Sequence, residues 1–109
     1  MFAVIFRSLR SHDHEDLYAQ WSERMSTAVA QVDGYSSHVS FRDPSTREGV
    51  TIAYFENEEA IRHWREFPEH LEAQELGRGS FYLNYTVQVA EIVRDYLWSR
   101  LDKQCSHEG

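Results

Sequence analysis

Three residues are of types that together can carry chemistry: His70, Trp64 and Arg7. A histidine titrates near neutrality and can take a proton from a substrate hydroxyl. His70 follows Pro68 at the start of a helical segment, a place from which it can face a cavity beside Trp64. Its other reading is a surface residue on the acidic stretch of Glu69 and Glu72. Trp64 lies on the apolar face of an amphipathic helix, where a tryptophan is usually core. It can also stack on a planar substrate and exclude water, and the two roles are compatible. Arg7 shares a strand face with Ala3 and Ile5. An inward arginine there needs a partner, because a lone buried charge is costly. Its planar fork suits a phenolate or a carboxylate; alternatively the strand ends at Phe6 and Arg7 reaches solvent.

Further polar residues are candidates for holding a substrate. Alternation on the last strand puts Asn84 and Tyr82 on one face, where they can orient a substrate oxygen, with Tyr54 and His38 as similar candidates on the middle strands. Each can equally be a hydrogen-bonded structural group. Arg78, between Gly77 and Gly79, can meet an anion near the cavity mouth or the dipole at a helix end. His12-Asp13-His14 with Asp16 lacks a further ligand at a defined spacing, so no metal site is expected. No Walker loop, GxGxxG, GxSxG or HExxH is present, and no cofactor is expected.

These residues need a frame. Phe2, Val4 and Phe6 alternate with Ala3, Ile5 and Arg7, a strand over residues 1–8. Leu17, Trp21, Met25, Ala28, Val29 and Val32 follow a helical stripe over 14–32, with Asp13 or a neighbour as cap and Gly34 near its end. Residues 35–42 and 50–55 read as strands around a turn-rich loop. Asn57 caps a helix that carries Ala60, Ile61 and Trp64 inward, and Pro68 starts a second segment that stops near Gly77. Residues 80–93 form a last strand, long enough for part of it to pair beyond the monomer. The order βαββαβ predicts an α+β, ferredoxin-like domain over 1–98, with a polar tail over 99–109. Helices cover one sheet face while apolar residues occupy both, so a second copy is expected on the other, giving a homodimer.

Composition narrows the function classes. The 109 residues carry a net charge of −7 and a single cysteine, Cys105. That charge repels phosphate backbones and anionic lipid, so neither nucleic acid nor membrane is an expected partner. A single cysteine gives no intramolecular disulfide and no cysteine metal cage. The N-terminal apolar run has no preceding basic region and no small-residue cleavage site, so a cytoplasmic location is expected.

Several segments carry a family likeness: Ala3-Val4-Ile5-Phe6-Arg7-Ser8, Asp33-Gly34-Tyr35 and Gly49-Val50-Thr51-Ile52-Ala53-Tyr54-Phe55. It continues through Glu59-Ala60-Ile61 to Trp64, Glu69-His70-Leu71 to Ala73-Gln74, Gly77-Arg78, and Tyr82 to Tyr85 through Val89-Ala90. From residue 2 to about Tyr96 the chain resembles the antibiotic biosynthesis monooxygenase family, within the dimeric α/β-barrel superfamily. The resemblance implies two packed sheets and an aromatic-lined cavity in each subunit. It also implies a cofactor-free oxygenase that uses O2 on a small aromatic or polyketide phenol or hydroquinone to give a quinone.

By that resemblance Trp64 falls where members carry a tryptophan facing the substrate. His70 falls where some carry a tyrosine that handles a proton, and Val39 where an acidic residue is common. Haem-degrading relatives have an Asn-Trp-His triad whose positions here are Arg7, Trp64 and Gln74. Glutamine is not a usual iron ligand. A haem-binding or haem-degrading protein, and a non-catalytic dimer that holds a small ligand, stand as the alternatives.

Overall fold

The computed structural model describes residues 1–100. Most of the expected tail, with Cys105, lies outside the described residues. The apolar alternation at the N-terminus forms β1 (Phe2–Arg10), followed by α1 (Glu15–Val29), β2 (Tyr35–Arg42) and β3 (Glu48–Phe55). Then come α2 (Glu58–Arg65), α3 (Pro68–Leu76), a π-helical turn (Gly77–Phe81) and β4 (Tyr82–Glu91). The strands form one antiparallel sheet in the order β2-β3-β1-β4. This is the expected α+β, ferredoxin-like βαββαβ arrangement. No helix among the described residues is long and apolar enough to cross a membrane.

Several boundaries moved for local reasons. β1 runs past Ser8 because the Arg10 amide donates to the Arg47 carbonyl and the Ser11 amide to that of Phe81. α1 stops at Val29, where tighter bonds from Gln31 to Ala28 and from Val32 to Val29 close the last turn. Asp13 does not cap α1: the capping position is His14, in left-handed backbone with no side-chain bond. β4 spans ten residues where fourteen were expected, since residues 77–81 coil into the π-helical turn. Beyond it, 92–99 adopt no regular structure and leave Val93, Tyr96, Leu97 and Trp98 exposed.

The core lies between the helices and one sheet face. Phe55, fully buried, packs with Ala28, Val29 and Val32 at the end of α1 and with Ala60 and Trp64 of α2. Cross-strand pairing then sorts every neighbour. Val4 opposes Ala53 and Phe6 opposes Thr51 on the helix-bearing face, while Ile5 opposes Ile52 and Arg7 opposes Val50 on the other. On that second, open face β2 adds Val39 and Phe41, the latter 69% exposed.

Two bulges break the alternation. In β2, Tyr35 pairs with Phe55 but Ser37 with Tyr54, so Tyr35 and His38 share the helix-bearing face. In β4, Arg10 pairs with Tyr82 and Leu9 with Asn84, leaving Leu83 unpaired.

Gly34 ends the link from α1 to β2 at φ +92°, and a Cβ there would lie 2.8 Å from that of Ala60. Gly34→Ala is therefore expected to lower stability by roughly 1 kcal/mol or more. Urea unfolding checks this; an unchanged midpoint contradicts it.

Candidate functional site

Trp64 and His70 meet because the helix breaks between them. The Asn57 side chain accepts the Ala60 amide at 2.8 Å, fixing the start of α2 with Ala60 and Trp64 inward. Phe67 is extended, and Pro68 opens α3 on a new axis. The His70 ring consequently lies on the Trp64 ring, with centroids 4.7 Å apart and planes 31° apart. Its Nδ1 faces both the Arg65 carbonyl and the Gln74 amide at 3.4 Å. The tautomer selects between them: an N–H donates to the carbonyl, and a bare nitrogen accepts from Gln74. Burial lowers the His70 pKa below its ordinary 6.5, and the Arg65 carbonyl offsets part of that. Neutral imidazole is therefore favoured at pH 7, the form that can accept a proton.

A second cluster stands on the same sheet face near the far end of β1. Phe6 contacts the rings of Tyr82 (5.3 Å) and Tyr85 (5.2 Å), and Tyr18 of α1 packs edge-on against Phe81 and Tyr82. Gly77 makes room, since a Cβ there would stand 3.0 Å from the Tyr82 ring. Burial, then the charge and hydrogen bond of Tyr18, raises the Tyr82 pKa far above its ordinary value, against the pull of Arg42 and Arg10. Tyr82 therefore stays a protonated phenol and can donate a hydrogen bond. Arg78 Nε donates to the Tyr85 hydroxyl at 2.9 Å, so this arginine acts through Tyr85. Toward the edge of the sheet the face is open: Val87 and Val89, paired with Phe6 and Val4, are each more than half exposed.

The candidates named from sequence thus separate. Trp64, His70, Tyr82 and, through Tyr85, Arg78 are on the helix-bearing side. His38 shares that side, but both its ring nitrogens are engaged, Nδ1 by the Tyr35 hydroxyl at 2.7 Å and Nε2 by Ser26 Oγ at 3.3 Å. It ties β2 to α1. Arg7, Asn84 and Tyr54 face the other way, since they pair with Val50, Leu9 and Ala3 on the open face. Arg7 is exposed there, which removes the cost of burying its charge. The expected sharing of a face by Asn84 and Tyr82 fails because the bulge at Leu83 flips the alternation between them. Sequence reasoning missed Tyr18, Arg10 and Arg42. Tyr18 was legible, standing three and seven residues before Trp21 and Met25 on one helix side; the two arginines depend on strand register.

An antiparallel sheet with helices on one face, in the order βαββαβ, defines a ferredoxin-like α+β subunit. Residues 1–76 match the model of the antibiotic biosynthesis monooxygenase family. The chain belongs to that family. It is 37% identical over 97 residues to YqjZ, an uncharacterised protein of Bacillus subtilis (strain 168), covering 89% of this chain and 83% of that one. Jasmonate monooxygenase ABM of Pyricularia oryzae is 27% identical over 94 residues, covering 84% of this chain but only 43% of the fungal protein. Among solved structures, SnoaB of Streptomyces nogalater, a cofactor-independent oxygenase, superposes with TM-score 0.70 at 15% identity, over 86% of this chain and 95% of its own.

Proton titration of His70, followed by its ring resonances, is expected to centre below pH 6.5. Because the fold favours the neutral ring, this group's stabilising contribution is full above 6.5. It is lost as pH falls through 6.5 toward the folded midpoint. A midpoint at or above 6.5 contradicts the burial argument.

Proposed function

We propose that the protein is a cofactor-independent monooxygenase that converts a small aromatic or polyketide phenol to a quinone. The observation that carries this reading is the neutral His70 stacked on Trp64, at one end of a face floored by Val4, Phe6, Val87 and Val89. Family membership, and the oxygenase names of SnoaB and the fungal relative, support the reaction class.

In the reaction, His70 takes the phenol proton, and the electron-rich phenolate passes electrons to O2. A C–O bond forms on the ring. One oxygen atom becomes the new carbonyl, and the other leaves as water with the hydrogens of the ring C–H and the phenol O–H. The four electrons lost by the substrate reduce O2 completely. Trp64 supports the planar ring and keeps water from the reacting carbon. Tyr82, held protonated at the far end of the face, donates to a substrate oxygen remote from the reacting ring. Arg7, Asn84 and Tyr54 have no part in this account, because they face away from His70.

The same reading includes a homodimer, with a second copy against the open sheet face. Its support is the apolar row of Ile5, Ile52, Val39 and Phe41 there, and the exposed apolar residues that follow β4. Family members are commonly dimeric.

Metal-free protein in air with a panel of phenols is expected to consume one O2 per quinone formed. Labelled O2 should leave one atom in the product. His70→Gln is expected to lower kcat by about 100-fold or more while KM changes little. Uptake no faster than the uncatalysed rate across the panel contradicts the proposal.

A further inference from the structure

Three guanidiniums crowd the corner where β1, the β2–β3 loop and α1 meet, in a chain whose net charge is −7. Arg10, 2% exposed, lies over the Tyr18 ring at 3.8 Å, donates to the Phe81 carbonyl and meets Glu15 at 3.1 Å. Arg47 donates to the Ser11 carbonyl and to the same Glu15. That carboxylate, held below its ordinary pKa chiefly by the Arg47 hydrogen bond, is shared by two cations. Arg42 has none. Its Nη2 donates to Ser8 Oγ (3.0 Å) and the Tyr18 hydroxyl (3.2 Å), and its Nη1 to the Arg47 carbonyl (2.7 Å). Among the described residues no carboxylate forms an ion pair with Arg42. The nearest in sequence, Asp43, is turned back onto Ser45 and Thr46.

The placement of Arg42 is built into the sheet. Arg42 pairs with Gly49 and Gly49 with Ser8, so the side chain crosses β3 to reach β1. Only a missing side chain at 49 allows this: a Cβ there would lie 2.6 Å from the Arg42 Cζ. The guanidinium is thereby brought to the edge of the ring cluster, beside Tyr18 and within electrostatic reach of Tyr82.

We propose that Arg42, with the Tyr18 and Tyr82 hydroxyls, binds the carboxylate of an apolar, ring-bearing acid whose body lies along Phe6 and Tyr85 toward Trp64. An exposed guanidinium without a counter-charge, with donor hydrogens left over from its bonds to Ser8, Tyr18 and Arg47, attracts a carboxylate. The Tyr82 phenol, held in its protonated form, and the Tyr18 hydroxyl beside it supply further donors. The four residue steps of β1 from Val4 beside the Trp64 core to Ser8 beneath Arg42 span about 13 Å. The acid group is therefore anchored remote from His70, and its binding energy positions the reacting ring. This inference rests on the proposed use of the helix-bearing face, but it concerns binding and is separable from turnover.

Its test is a matched pair of probes, 2-naphthoate and 2-naphthamide, titrated into the full chain by calorimetry at pH 7.5 and low salt. The carboxylate is expected to bind at least ~10-fold more tightly than the amide. Arg42→Gln should remove that preference while leaving the amide affinity in place, which also reports an intact fold. Gly49→Ala, which displaces only the flexible end of Arg42, should reduce the preference as well. Equal affinities in the parent, binding of neither probe, or a preference that survives both substitutions overturns the inference. Oxygen uptake on uncharged phenols, with acid binding absent, would leave the oxygenase reading standing and remove this one alone.

Discussion

A four-stranded sheet has two faces, and the described residues supply helices for only one. That constraint organises everything else. Burial of Phe55 beneath α1 and α2 fixes the phase of β3, and pairing carries that phase into β1, then outward to β2 and β4. Once it is set, every strand side chain belongs either to the helix-bearing layer or to a face that the subunit leaves uncovered. A slip of one residue would exchange the two sets.

The helix-bearing layer is chemically graded along β1. At one end Trp64 sits in apolar packing with a neutral imidazole stacked on it. At the other, the Arg42 guanidinium reaches Ser8 and the Tyr18 phenol, which packs on Tyr82. Between them the floor is apolar and, over β4, open. A planar molecule lying along this gradient would present one end to a proton acceptor and the other to donors and positive charge. The middle favours flat hydrocarbon through area burial and ring stacking. The open face has no such grading: its aliphatic row is interrupted by Arg7, and among the described residues it holds no buried titratable group.

The fold was legible in the sequence because its signals are local and redundant. Alternation in residues 2–7, the stripe from Leu17 to Val32, Asn57 as a cap and Pro68 as a restart each specify an element without reference to the others. The site was legible only in part. Trp64 and His70 lie on adjoining helical segments, so their proximity follows from short-range geometry at Phe67-Pro68. Asn84 and Tyr82 were assigned one face by simple alternation, which an unpaired Leu83 undoes; nothing near Leu83 in the sequence announces a bulge. Arg42 could not be read at all. Its importance depends on Gly49 lying opposite it and Ser8 beyond, a relation across three strands that only the register provides.

Sedimentation equilibrium at micromolar concentration tests the one-sided sheet most directly. The account predicts a mass near twice the 12.9 kDa of the chain, with the open face buried between two copies. A single 12.9 kDa species across that range would contradict it.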